Sequence, residues 1–237
     1  MSNKICLWSG PRNISTALMY SFNSRKDTIV FDEPLYAHYL KVTGLRHPGY
    51  NEIINFYCTN GNKIVDDLIL KDYNMPISFF KLMSHFIIDL NLTFLKKVNN
   101  ILLLRHPLEV ISSYNNVIKN PSLRDIGLLD QFKLFNFFKN NHIPFIVIES
   151  KDILKNPGFK LKELCEALNI DYDPRMLKWD KGPKNIDGIW AKYWYTSVHN
   201  TIGFSKPKTR KIKLSSNNKL VYEEALKLYQ IISKSKI

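Results

Sequence analysis

Four groups of residues have the types and spacing to do chemistry. Arg12, Ser15 and Thr16 follow a Ser9-Gly10-Pro11 turn, a combination suited to holding an anionic oxygen. A guanidinium offers a forked pair of donors and a full charge, and the two hydroxyls add further donors. Arg105 and Ser113, eight positions apart, form a second such group, separate from the first. Asp32 and Glu33 stand side by side before Pro34 and suit a metal site, a general base or the cap of a helix. Lys81 and His85 pair a cation with a group that titrates near neutrality. Each group also has a plainer structural reading. Asn13 caps an ordinary turn, Arg105 pairs with Glu109, Lys81 is solvated and His85 packs against a neighbouring helix.

The elements that must position these groups are legible as alternating patterns. Short apolar runs at Ile5–Trp8, Thr28–Phe31, Ile77–Leu82, Asn100–Leu104 and Pro144–Ile148 read as buried strands. Helical spacing appears between them, around 14–24, 51–58, 86–97, 107–118 and 127–140, and again at 215–232. Continuous apolar strands alternating with helices predict a parallel sheet of about five strands in a three-layer α/β/α arrangement. Ligands of such sheets bind beyond the carboxyl ends of the strands, which is where all four groups fall. Strand, tight loop and helix over 5–16 has the form of a phosphate cradle, because a helix N-terminus directs free N–H groups and its positive end at the loop. Trp179, Trp190, Tyr193, Trp194 and Tyr195 cluster with glycines in the last third, as a loop-rich lid or a satellite core.

The composition bounds the rest. The chain has 237 residues, 45% of them hydrophobic and 13% aromatic, enough for a substantial core. No apolar run has the length of a membrane span. A strand begins almost at once, so no signal peptide is expected. Cys6, Cys58 and Cys165 are far apart and odd in number, without metal spacing, so a reducing, cytoplasmic setting is expected. The net charge of +13 suits an anionic ligand, but the abundance of lysine, asparagine and isoleucine reads equally as compositional bias. The basic run Lys206–Lys213 is as consistent with a loop as with a binding stripe.

The two anion groups and the residues after the fifth strand resemble the P-loop-like sulfotransferases that use 3′-phosphoadenosine-5′-phosphosulfate (PAPS). Ser9-Gly10-Pro11-Arg12-Asn13-Ile14-Ser15-Thr16 is similar to the 5′-phosphosulfate loop of that family. Leu104-Arg105-His106-Pro107 through Ser113-Tyr114 is similar to its 3′-phosphate motif, in which an arginine precedes a serine by the same eight positions. Ile148 to Leu154, running on to Cys165, is similar to a strand, turn and helix of the family. Asn13 and Ile14 depart from the small residues common in that loop, and Ala17 stands where some members carry an aromatic.

The resemblance implies a P-loop-NTPase-like fold forming a single domain over 1–237, with an α/β core over 1–170 and a lid and closing helix over 171–237. It implies that Gly10, Pro11, Arg12, Asn13, Ile14, Ser15, Thr16, Arg105 and Ser113 bind PAPS, leaving 3′-phosphoadenosine 5′-phosphate (PAP) as product. Glu33-Pro34 resembles the base motif of bacterial and Golgi-type members, which makes Glu33 the expected base ahead of Asp32 or His85, with Arg12 and Lys81 stabilising charge. The acceptor would be a hydroxyl or amine of a small molecule or glycan. No metal, nucleic acid or membrane span is expected. A P-loop kinase or NTPase is the rival reading, since Asp32-Glu33 imitates metal-holding acids after a strand. The chain lacks the glycine–lysine–serine/threonine ending of a nucleotide P-loop. A nucleotide-binding protein without catalytic function is the other alternative.

Overall fold

The computed structural model describes residues 2–114, 120–206 and 214–237. Five parallel strands form one sheet: β1 (Asn3–Ser9), β2 (Thr28–Asp32), β3 (Ile77–Met83), β4 (Asn99–Leu104) and β5 (Phe145–Glu149), in the order β2-β3-β1-β4-β5. All seven residues of β3 are buried, as are Ile5 to Ser9 of β1. Burial on both faces is what their unbroken apolar runs require, because flanking helices cover the sheet. The fold is thus the expected parallel α/β arrangement. Phe22 stacks on Phe79 with ring centroids 4.1 Å apart, fastening α1 (Ser15–Asn23) to β3.

The helices differ in part from the sequence expectation. The stretch 86–97 is not a helix. It forms two short 3-10 turns, Ser84–Phe86 and Leu92–Lys97, joined by a bend with Asp89 at φ 49°. α2 (Tyr36–Thr43) follows the Glu33-Pro34 pair, and α3 (Tyr50–Phe56) covers the predicted 51–58 segment. A further helical segment, Gly61–Ile69, gave no clear periodicity. The helix Pro107–Tyr114 begins as expected, and its expected continuation through 118 lies outside the described residues, as does most of the basic run to Lys213. The final helix, Ser216–Ser233, buries Ala225 and Ile232 rather than Leu220 or Ile231, both of which are exposed.

Topology sets the site. β1 is central, with β3 on one side and β4 on the other. Direct chain connections therefore leave the end of β1 in different directions from its neighbours, and a crevice opens there. The loop after β1 stands between the Lys81 end of β3 and the Arg105 end of β4. Among the described residues no helix is long and apolar enough to cross a membrane. No group of three or more His, Cys, Asp or Glu is placed to hold a metal ion among them.

Candidate active site

The loop after β1 is strained and stapled. Arg12 and Ile14 have φ of 64° and 60°, in the left-handed region that is unfavourable for a β-branched residue such as isoleucine. Non-glycine residues held there cost about 1–3 kcal/mol each, and persist where surroundings enforce them. The enforcing contacts are specific. Asn13 does not cap α1, whose N-cap is Ile14 without a side-chain bond. The buried Asn13 amide instead donates to the carbonyl of Leu103 at 2.9 Å, and Gln131 donates to the same oxygen at 2.8 Å. Ser150 Oγ lies 2.7 Å from the Leu104 carbonyl and 3.0 Å from that of Asn13. Gly10 approaches so closely that a Cβ there would stand 2.9 Å from the Ile126 carbonyl oxygen. Gly10→Ala is therefore expected to destabilise the fold by about 1–3 kcal/mol in urea denaturation, the usual cost of forcing a methyl into packed structure.

The two arginines meet at this loop. Arg12 Nε donates to Ser113 Oγ at 3.0 Å, and Arg105 Nη1 donates to the Arg12 carbonyl. The two anion groups expected to be separate are thus joined through Arg12. Arg105 also pairs with Glu109 at 3.0 Å, so the plainer reading of that arginine holds alongside its place in the cleft. Burial and then the charge of Arg105 push the Arg12 guanidinium below its ordinary pKa. Two cations so placed favour an anion between them.

On the other side of the β1 loop, β2 and β3 bring an ionised cluster together. Asp32 and Lys81 are direct register partners on adjacent strands. Lys81 Nζ lies 2.9 Å from Asp32 Oδ1 and also bonds Glu33 Oε1 and the Tyr195 hydroxyl. Lys81 is thus buried and paired, not solvated. Burial alone would lower its pKa, but Asp32 and Glu33 outweigh burial and hold it raised. The Tyr195 hydroxyl donates to Asp32, 2.8 and 2.9 Å from its two oxygens, and the Gly188 N–H donates to Oδ2 at 3.0 Å. Both oxygens of Asp32 are occupied. The side chains of Asp32 and Lys81 are 1% exposed, whereas Glu33 keeps 11%. Burial first, then the charge of Asp32, raises the Glu33 carboxyl above its ordinary value, with Lys81 opposing. Glu33 has φ 43°, a third strained position after Arg12 and Ile14, at the mouth of the cleft. Neither acid caps α2, whose N-cap is Leu35 without a side-chain bond.

A cleft of about 800 Å³ joins these halves. Pro11, Arg12, Asn13, Ile14, Ser15, Thr16, Arg105 and Ser113 line one half, and Glu33, Lys81 and His85 line the other. Gly10 packs behind the loop, against the Ile126 carbonyl. The His85 Nδ1 is buried without a partner among the described residues, and burial lowers the ring's pKa to about 4. Trp179, Trp190 and Tyr195 are buried, and Trp194, Tyr195, Val198 and Phe204 close over the cleft, so the aromatic segment is both satellite core and cover. Sequence reasoning missed Tyr195 and Gly188 as partners of Asp32, and it missed Tyr36, Tyr39 and His47 of α2 and the loop after it as cleft residues.

A family model of the sulfotransferase domain matches residues 3–236. The chain belongs to that family, and sulfuryl transfer is its general chemistry. It is 35% identical over 226 residues to the branched-chain-amino-acid aminotransferase-like protein 1 of Arabidopsis thaliana, and 32% identical over 226 residues to protein 2 of that name. These alignments cover 95% of the chain but only 40% of each relative, so the chain spans about two fifths of their length. In fold it is similar to the sulfotransferase domain from the curacin biosynthetic pathway, with a TM-score of 0.53 at 16% identity, covering 94% of this chain and 97% of that one. It is likewise similar to a sulfotransferase from Alicyclobacillus acidocaldarius, with a TM-score of 0.52 at 9% identity over 98% and 96% of the two chains.

Proposed function

We propose that this chain moves a sulfuryl group from PAPS to a hydroxyl or amine of a small-molecule or glycan acceptor. The observation that carries the reading is the division of one cleft into a cationic half, Arg12 with Arg105 and Ser113, and an ionised half, Glu33 with Lys81. The cationic half fits the two phosphate-bearing ends of the donor. Arg12, the loop N–H groups and the Ser15 or Thr16 hydroxyls would hold the 5′ end, and Arg105 with Ser113 the 3′-phosphate. PAPS supplies an activated sulfur attached to a good leaving group. The acceptor oxygen forms a bond to that sulfur as the bond from sulfur to the bridging oxygen breaks. The electron pair leaves with the bridging oxygen to give PAP, and the acceptor proton passes to Glu33. Sulfuryl transfer resembles phosphoryl transfer in depending chiefly on positioning and charge stabilisation. One preorganised donor aimed at the leaving oxygen is typically worth about 2.7–4 kcal/mol.

Glu33 fits the role of base better than the alternatives. Its carboxyl opens to the cleft while Asp32 is enclosed by Tyr195, Gly188 and Lys81. Asp32 acts as the fixed counter-charge that keeps Lys81 protonated and aimed. The 171–237 segment belongs to the same domain in this reading, because Tyr195 completes the cluster begun on β2 and β3. A cytoplasmic setting is part of the same proposal.

Thermal denaturation with PAP, ADP or ATP–magnesium tests the donor. PAP at 100-fold its Kd is expected to stabilise the protein by about 2.7 kcal/mol, with little effect from the other two. Arg105→Ala is expected to weaken PAP roughly tenfold or more, as loss of a charged hydrogen bond costs about 1.5–3 kcal/mol. Stabilisation by ATP–magnesium but not by PAP would turn the reading to a kinase.

A further inference from the structure

The segment that covers the cleft is anchored at a carboxylate behind it. Asp187 is not among the residues that line the cleft, and its side chain is 5% exposed. The Tyr20 hydroxyl of α1 donates to it, 2.7 and 2.9 Å from its two oxygens, and the Lys184 N–H donates to Oδ2 at 2.8 Å. His199 Nε2 lies 3.0 Å from the same oxygen. These contacts bear on Asp32. Gly188, the next residue, gives Asp32 its backbone N–H, and the N–H of His199 donates to the Tyr195 carbonyl at 2.9 Å. Asp187 thus anchors both residues of the cover that donate to Asp32, Gly188 by adjacency and Tyr195 through His199. The fit at Gly188 is tight, since a Cβ there would collide with the ring of the buried Trp190.

We infer that Asp187 is a positioning residue: through Tyr20 and His199 it holds the Gly188 N–H and the Tyr195 hydroxyl on Asp32, and so leaves Glu33 as the carboxylate that takes the acceptor proton. This role rests on the sulfuryl-transfer reading and adds to it a residue that touches no substrate. Lys81 is what the two carboxylates compete for, since its ammonium bonds both Asp32 and Glu33. The donors from Gly188 and Tyr195 offset part of the charge on Asp32, so the ammonium is shared. With those donors withdrawn, Asp32 draws the ammonium more strongly and opposes charge on Glu33 more strongly. The Glu33 carboxyl, already raised by burial and by Asp32, then rises further and keeps its proton where a base must be free of it. Lys184 does not take over the role of His199. Its Nζ stands 5.3 Å from the centre of the Tyr20 ring and bonds the Gly182 carbonyl at 2.8 Å.

The test uses the full chain carrying carbon-13 at its glutamate carboxyl groups. The Glu33 signal is identified by its loss in Glu33→Gln and followed by NMR across pH. Asp187→Asn is expected to raise the Glu33 midpoint by about one pH unit, the low end of what an unbalanced neighbouring charge does to a carboxylate. The acid limb of the slow transfer from radiolabelled PAPS to water is expected to move up with it. In that reaction a water oxygen bonds to sulfur as the bond to the bridging oxygen breaks, PAP leaves with the electron pair, and a water proton passes to Glu33. The affinity for PAP, read by calorimetry, is expected to stay at the parent value, because the bonds that shape the donor loop run from Asn13, Gln131 and Ser150. Tyr20→Phe removes one bond from Asp187 and keeps the ring, and is expected to raise the midpoint by less. Ser24→Ala removes a different tie between α1 and the cover, the bond from Ser24 Oγ to the Lys178 carbonyl at 2.8 Å, and is expected to leave the midpoint in place. A midpoint unchanged or lowered in Asp187→Asn overturns the inference, as does an equal rise in Ser24→Ala or an acid limb that stays put while the midpoint rises. Should Asp187→Asn fail to fold, the midpoint in Tyr20→Phe decides by the same criterion. Failure of PAP to bind the parent protein overturns the sulfuryl-transfer reading, while the Glu33 midpoint still decides whether Asp187 governs that carboxyl.

Discussion

Glu33→Gln is expected to turn over about 10²–10⁴-fold more slowly than the parent protein and to bind PAP with nearly the parent affinity, because a general base contributes to the transition state and not to donor binding. The substitution keeps the shape of the side chain and one oxygen for Lys81, so the fold has little reason to change. The pH profile separates this role from a structural one. The Glu33 carboxyl is raised by burial and by Asp32 beside it. The base form is lost as pH falls through that raised value, so the acid limb of the parent profile lies above the ordinary carboxylate range near about 4.3. In Glu33→Gln that limb disappears. Single-turnover rates across pH, measured with saturating PAPS and an acceptor that the parent protein sulfates, check both points. Parent-like rates in the variant would move the base to His85. That ring's low pKa, about 4, makes it a weaker proton acceptor.

Lys81→Met is expected to destabilise the fold by about 3–5 kcal/mol at neutral pH, the cost of removing one partner from a buried ion pair. Lys81 is 1% exposed and bonds Asp32, Glu33 and Tyr195. Without the ammonium, two carboxylates face each other with little water. One of them takes a proton as pH falls, so the deficit is largest at and above neutrality and shrinks on acidification. Urea denaturation at pH 7.5 and pH 5 reads this directly. Adding Asp32→Asn to Lys81→Met removes one of the opposed charges and is expected to restore part of the loss. A deficit independent of pH would show that lost packing, not charge, sets the cost.

The strands were legible because parallel strands buried on both faces leave nearly continuous apolar runs, and β1 to β5 match them to within a residue or two. The 86–97 segment misled because Leu92, Phe94 and Leu95 are buried or partly buried from 3-10 turns, and their spacing imitates one face of a helix. Arg12, Glu33, Lys81 and Arg105 were legible as candidates because they sit where strands of a parallel sheet end. Their mutual geometry was not. Arg12 reaches Ser113 across 101 positions, and Tyr195 reaches Asp32 across 163, separations that no local pattern encodes. The left-handed backbone at Arg12, Ile14 and Glu33 was equally hidden, since residue type argues for glycine at such places and the surrounding contacts override it. Tyr36, Tyr39 and His47 carried no signal beyond an ordinary amphipathic helix and the turn after it.

The bonds that Asn13, Gln131 and Ser150 make to Leu103, Leu104 and the β1 loop have a consequence for how preference can drift. They are independent of α2 and of Trp194, so the shape of the β1 loop does not depend on the rings that line the other half of the cleft. The exposed Trp194 can therefore be exchanged while the loop keeps its shape, whereas Tyr36 and Tyr39 are buried and change only with repacking of the core around them. A library randomised at position 194 should retain PAP-stabilised folding in most members while its choice of acceptor diverges.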